Sequence, residues 1–152
     1  MHGGNIMIAF GPVPSRRLGR SLGINNIPPK VCSYSCIYCQ VGRTLNIQTE
    51  CQSFFTPEKI LQEVSEAVKM ARQAGETIDY LTFVPDGEPT LNENLGRSIA
   101  ALRLLGRRIA VVLYEKVFEE ESRRVIVMVL CPKRDKAINC GWNVSDFRMF
   151  VN

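Results

Sequence analysis

Cys32, Cys36 and Cys39 fall within eight residues of the stretch VCSYSCIYCQVGR, residues 31–43. Three thiolates that close must be held apart, oxidised together or bound to metal. An odd number, with Tyr38 beside the last of them, favours metal. Three protein ligands also leave one coordination position open, where chemistry can take place. The spacing admits two donor sets. One is three irons of a cubane cluster with the fourth iron free. The other is a structural zinc completed by Cys51, although zinc sites more often pair Cys-x2-Cys units. A second stretch, Asp86-Gly87-Glu88-Pro89, follows an apolar run and reads by itself as an ordinary turn.

The elements that must position these residues follow from periodicity. Ser21–Ile27 reads as a short strand, closed by Pro28 and Pro29 just ahead of the cysteines. Residues 28–55 then show no clear period, and so long a loop needs a functional reason such as holding a cluster. Thr56-Pro57-Glu58 is a helix start: hydroxyl cap, proline at the first helical position, acid in the first turn. Ile60, Leu61, Val64, Ala67, Val68 and Ala71 repeat at helical spacing, and Gly75 is the stop. Ile78–Val84 is a strand by length and β-branched content. A helix from about Asn92, striped by Leu95, Ile99, Leu102 and Leu105, ends at Gly106, and Arg108–Leu113 is the next strand. Strand, loop, helix, strand, loop, helix, strand is the order of a parallel α/β sheet, whose sites lie beyond the carboxyl ends of its strands.

The chain has 152 residues, 45% hydrophobic and 22% charged, one domain's worth of ordinary globular composition. Its longest apolar run, Val125–Cys131, is too short to span a bilayer, and Met1–Phe10 has no leader pattern. We therefore expect a cytoplasmic protein with no membrane partner, in which six cysteines serve metal or redox chemistry rather than a disulfide frame. The net charge of +4 resides in residues 1–50, where Arg16, Arg17, Arg20, Lys30 and Arg43 face only Glu50. That excess suits an anionic substrate, an acidic redox partner, offset of thiolate charge, or simple solvation.

Cys32, Cys36, Tyr38 and Cys39 resemble the Cys-x3-Cys-x-aromatic-Cys signature of the radical S-adenosylmethionine (radical SAM) superfamily. The resemblance implies a [4Fe-4S] cluster on the three cysteines, S-adenosyl-L-methionine on the fourth iron, and Tyr38 near the adenine. It implies reductive cleavage to a 5′-deoxyadenosyl radical that abstracts hydrogen from a substrate, an oxidoreductase-type chemistry. Asp86-Gly87-Glu88-Pro89 looks like the family's Gly-Gly-Glu-Pro loop, which lines the methionine end of the cofactor with backbone oxygens; glycine there lets the backbone approach closely. Residues 11–44 are similar to the iron–sulfur oxidoreductase branch related to tRNA wyosine-base synthases. On that likeness Arg16, Arg17 and Arg20 line the cofactor or substrate side; local ion pairs are the plainer alternative. Flavodoxin or ferredoxin as electron donor, and a tRNA substrate, are implications of the family.

The likeness covers about residues 8–112 and implies a partial TIM-like barrel of parallel strand–helix units. Residues 1–113 are expected to form the first part of that core, and 114–152 an unassigned extension. Within the extension, Val117–Arg124 reads as a short charged helix and Val125–Cys131 as a strand. The family barrel has six strand–helix units and this chain has room for three or four. A natural short version, a truncated inactive fragment, and a non-catalytic iron–sulfur or zinc module are thus the other readings.

Overall fold

The computed structural model describes residues 6–33, 35, 42–115, 124–130 and 147–150. The chain makes strand β1 (Ala9–Ser15), β2 (Gly19–Ile24), β3 (Val31–Cys32) and β4 (Asn46–Ile47). Helix α1 (Pro57–Gln73), β5 (Tyr80–Phe83), α2 (Leu95–Leu102), β6 (Arg108–Glu115), β7 (Arg124–Leu130) and β8 (Phe147–Phe150) follow.

Helix α1 begins where its sequence says. Thr56 is the cap, its hydroxyl accepting from Lys59 N at 3.3 Å, and Pro57 opens the first turn. The helix closes with Gly75 N on Arg72 O and Glu76 N on Ala71 O, which needs the left-handed φ of +73° at Gly75. Glu58 lies in the first turn, and its carboxyl is held below the usual range by its own backbone N–H and then by the Thr56 hydroxyl. A lowered folded-state pKa contributes stability above the unfolded value, lost as pH falls through the folded one. Thr56→Ala should therefore lower the stability read from urea denaturation by about 1 kcal/mol at neutral pH. The deficit should shrink as acidification protonates Glu58; a deficit that stays constant across the acid range would mean that the two groups act independently.

Six of these strands form one sheet in the order β1-β2-β5-β6-β7-β8, and β3 and β4 pair separately. Only β2, β5 and β6 are parallel, joined through α1 and α2; β1, β7 and β8 each pair antiparallel to their neighbours. The parallel strand–helix repeat read from sequence is thus the centre of a mixed sheet. Among the described residues that sheet runs open from β1 to β8. Strand β1 escaped the sequence reading because Gly11, Pro12 and Pro14 look like chain breakers. An edge strand tolerates proline, and β1 accommodates these residues with a register shift between Phe10 and Val13. Strand β7 occupies the run expected from Val125, and β8 was not anticipated. Strand β6 continues to Glu115, and β7 pairs with it from Arg124 to Leu130. The helix expected from Val117 lies outside the described residues, except for Arg124, which starts β7.

Leu22 and Ile24, Leu81 and Phe83, and Ile109 and Val111 share one face of the sheet, where Ile60, Val64, Leu95, Ile99 and Leu102 cover them. This is the core, and it places both helices on one side. The opposite face carries small residues: Ser21 and Thr82 share a hydroxyl–hydroxyl bond of 2.5 Å, and the Phe10 ring fills the space above Gly23.

Candidate functional site

The parallel strands end at Ile24, Phe83 and Glu115. Loops leaving β2 and β5 at that edge carry the two stretches singled out above. Segment 25–32 leads from β2 to the cysteine loop, and segment 84–94 leads from β5 to α2.

The cysteine loop has a closed neck. Lys30 O accepts from Leu45 N and Asn46 N, both at 3.1 Å, and Cys32 O accepts from Gln48 N at 3.1 Å. Strands β3 and β4 are the parallel pairing these bonds make, Val31 beside Asn46 and Cys32 beside Ile47. Cys32 is half-buried at the end of that neck. Cys36, Tyr38 and Cys39 lie outside the described residues. Among the described residues no three metal-ligating side chains converge.

Loop 86–89 is clamped to the same neck. Lys30 N donates to Asp86 O at 2.6 Å and Glu88 N donates to Val31 O at 3.1 Å. Between them Gly87 lies so close that an added Cβ would sit 2.0 Å from Val31 O and 2.9 Å from Ile27 Cδ1. Position 87 has room only for glycine, and what approaches it is the backbone leading into Cys32. Asp86 is exposed, Pro89 is buried, and the Glu88 carboxylate is occupied locally. Glu88 Oε1 accepts from Thr90 Oγ1 at 2.6 Å and from Thr90 N at 3.2 Å, capping the 3-10 turn over Pro89–Leu91.

A third segment joins them. Gln52 N donates to Leu91 O and Glu93 N to Gln52 O, so residues 51–53 run beside 91–93. Cys51 is exposed, and its thiol lies 3.5 Å from Thr90 O. Ile27, Val31 and Leu91, with Phe54 against them, make a small apolar cluster of their own. Burying these three side chains removes them from water at about 1.5–3 kcal/mol each. That is the glue of the site, separate from the main core.

Lys30 adopts a left-handed φ of +66°, strained for a residue with a side chain. Its ammonium lies 3.6 Å from where a Cβ on Gly42 would be, so the cation reaches the far side of the cysteine loop. Sequence reading counted Lys30 only within the basic excess. Asn26 and Asn92, both fully or nearly fully buried, it missed entirely. Two asparagines in polar-looking loops carry no periodic signal, and their burial becomes visible only in three dimensions.

Arg16, Arg17 and Arg20 are not on this side. The β1–β2 turn that carries them lies where the parallel strands begin, since Ser21 pairs with Tyr80 and Tyr80 with Arg108. Arg20 makes an exposed ion pair with Glu76 at 3.0 Å, and its N–H donates to Asp79 Oδ2. The placement expected for these arginines from the family likeness is thus corrected: they sit at the end of the sheet opposite Cys32.

Among the described residues no helix is long and apolar enough to cross a membrane. No known family profile matches the chain, and no solved structure matches it. A UPF0026 protein of Methanocaldococcus jannaschii is 52% identical over 117 residues, which is 77% of this chain and 36% of that one. A protein of Brachyspira hyodysenteriae named GTPase Obg is 45% identical over 94 residues, 62% of this chain but 13% of that protein. A UPF0026 protein of Synechocystis is 37% identical over 105 residues, 68% of this chain and 37% of its own. The chain therefore spans little more than a third of the UPF0026 relatives it is similar to.

Proposed function

We propose that the chain is a radical SAM iron–sulfur protein. In this reading Cys32, Cys36 and Cys39 hold a [4Fe-4S] cluster, and loop 86–89 holds the methionine end of S-adenosylmethionine. The observation that carries it is the clamp between the two stretches. Segments more than fifty residues apart in sequence meet at the carboxyl ends of the parallel strands β2 and β5, with Gly87 against the residue that precedes Cys32. Nothing in an ordinary turn calls for that contact.

The residues present fit such a pair of groups. Thiolates are soft donors suited to iron, and the closed neck fixes the first of them. The Asp86 carbonyl accepts one hydrogen bond, from Lys30 N, and keeps a second lone pair for an ammonium group, whereas the Pro89 carbonyl already accepts from both Asn26 Nδ2 and Asn92 N. When bound, the pair supplies one-electron chemistry: reductive cleavage of a sulfonium and hydrogen abstraction from a substrate. The chain's own part is to bind and orient. Cys32 anchors at the neck, Lys30 balances charge, and the clamp sets the distance between cluster loop and cofactor loop.

The test is anaerobic reconstitution with iron and sulfide, reduction, and addition of S-adenosylmethionine. We expect a [4Fe-4S] spectrum that shifts on addition, with 5′-deoxyadenosine formed. A cluster that never responds to the cofactor assigns a non-catalytic iron–sulfur module instead. One zinc and no iron would remove the cluster reading altogether.

A further inference from the structure

We propose that Asn26 is a positioning residue: its side-chain amide sets loop 86–89 against the neck of the cysteine loop. The role of that loop as a cofactor site rests on the function proposed above, but the positioning itself does not.

Asn26 follows β2 by two residues and is fully buried. Its Nδ2 donates to Pro89 O at 2.9 Å, and its backbone carbonyl accepts from Asn92 Nδ2 at 2.6 Å. One residue thereby grips both ends of the 3-10 turn that closes the Asp86–Pro89 loop. Lys30 and Val31, a few residues on, grip the same loop at Asp86 and Glu88. The backbone could not do this work alone. Pro28, Pro29 and Pro89 have no N–H, so across the contact the main chain adds only the Lys30 and Glu88 donors, and neither reaches Pro89 O. A side-chain amide supplies the donor that proline removes.

The geometry also dictates why the residue is asparagine. Only the Nδ2 end can face the Pro89 carbonyl; a flipped amide or an aspartate would set oxygen against oxygen. That orientation leaves Asn26 Oδ1 buried with no hydrogen-bond partner among the described residues. A buried unsatisfied acceptor is costly, and an apolar side chain would avoid the cost. A group kept at such a penalty, at the junction of the two loops, is there for where it holds Pro89. Asn94 is a fitting contrast. It is a buried asparagine too, but its side-chain amide bonds Ser53 Oγ at 2.7 Å, and only its main-chain N–H, donating to Asn92 Oδ1, reaches the clamp, so truncating its side chain leaves that link in place.

The experiment compares Asn26→Leu with Asn94→Ala in the reconstituted full chain. Three readouts are taken: iron and sulfide content, titration of the reduced cluster with S-adenosylmethionine, and hydrogen exchange at the Lys30 and Glu88 amides. Asn26→Leu should keep its iron, bind S-adenosylmethionine at least tenfold more weakly, and exchange Lys30 and Glu88 at least tenfold faster. Asn94→Ala should lower the melting temperature, measured alongside, and leave all three readouts unchanged. If Asn26→Leu does not fold, Asn26→Ser takes its place, since it stays polar but is too short to reach Pro89 O. Unchanged exchange and affinity in the Asn26 variant overturn the proposal. So does a loss that merely tracks melting temperature across both variants. If the wild type never responds to S-adenosylmethionine, the functional reading fails, and exchange at Lys30 and Glu88 still decides the role of Asn26.

Discussion

Gly87→Ala should cost about 2–4 kcal/mol of folding stability and separate the two loops that make the site. The added carbon would lie 2.0 Å from Val31 O and 3.0 Å from Val31 C. Neither atom can yield cheaply. Val31 is buried in the Ile27–Leu91 cluster, and its backbone is part of the β3 neck. The loop must back away instead. That movement breaks the Lys30 N–Asp86 O and Glu88 N–Val31 O bonds and opens the small apolar cluster. Gly75→Ala is the control, because Gly75 has a left-handed φ but open space around it, so only conformational strain of about 1 kcal/mol applies. Denaturation midpoints of the two variants separate contact from conformation. Binding of S-adenosylmethionine to reconstituted protein should fall at least tenfold in Gly87→Ala alone. A Gly87→Ala protein as stable as Gly75→Ala would show that the close approach is not a constraint.

The contrast between those glycines marks what a sequence can and cannot disclose. Gly75 and the Thr56-Pro57-Glu58 start are local signals, complete within one helix, and the structure has both where the pattern places them. At Gly87 the constraint is only partly legible in the sequence. A glycine in a turn reports that something comes near, and the partner, Val31, lies too far along the chain to be named. Strand β5 shows the same limit in a different form. The run Ile78–Val84 looks uniformly strand-like, yet pairing covers only Tyr80–Phe83. Asp79, just before it, spends its carboxylate holding Arg20 N and its own N–H on Arg20 O. Where side-chain bonds across 59 residues decide, periodicity is silent. The charge pattern misled more directly. Five cations in the first third shared a segment with the cysteines, but a β-hairpin carries Arg16, Arg17 and Arg20 to the far end of the sheet and leaves Lys30 beside the site.

Cys32→Ala and Cys51→Ala should behave oppositely, and their comparison decides which metal chemistry the loop performs. Cys32 holds the neck through its main chain, with its carbonyl accepting from Gln48 N and its backbone paired with Ile47. Alanine keeps all of that. Loss of metal in Cys32→Ala therefore reports a lost ligand and not a lost loop, provided the denaturation midpoint stays near the wild type. For a [4Fe-4S] site we expect iron to fall from about four per chain to near background. Cys51 is a different case. It is exposed, its thiol reaches only Thr90 O, and it borders the clamp from the side of residues 51–53. With three cysteines as the full protein ligand set, Cys51→Ala should retain its iron and its response to S-adenosylmethionine. A tetrahedral zinc needs a fourth donor, and Cys51 is the thiol the structure brings to loop 86–91. Metal lost in both variants, with about one zinc in the parent protein, thus identifies a closed structural site. Metal lost in Cys32→Ala alone identifies an open one, where a coordination position stays available for a cofactor.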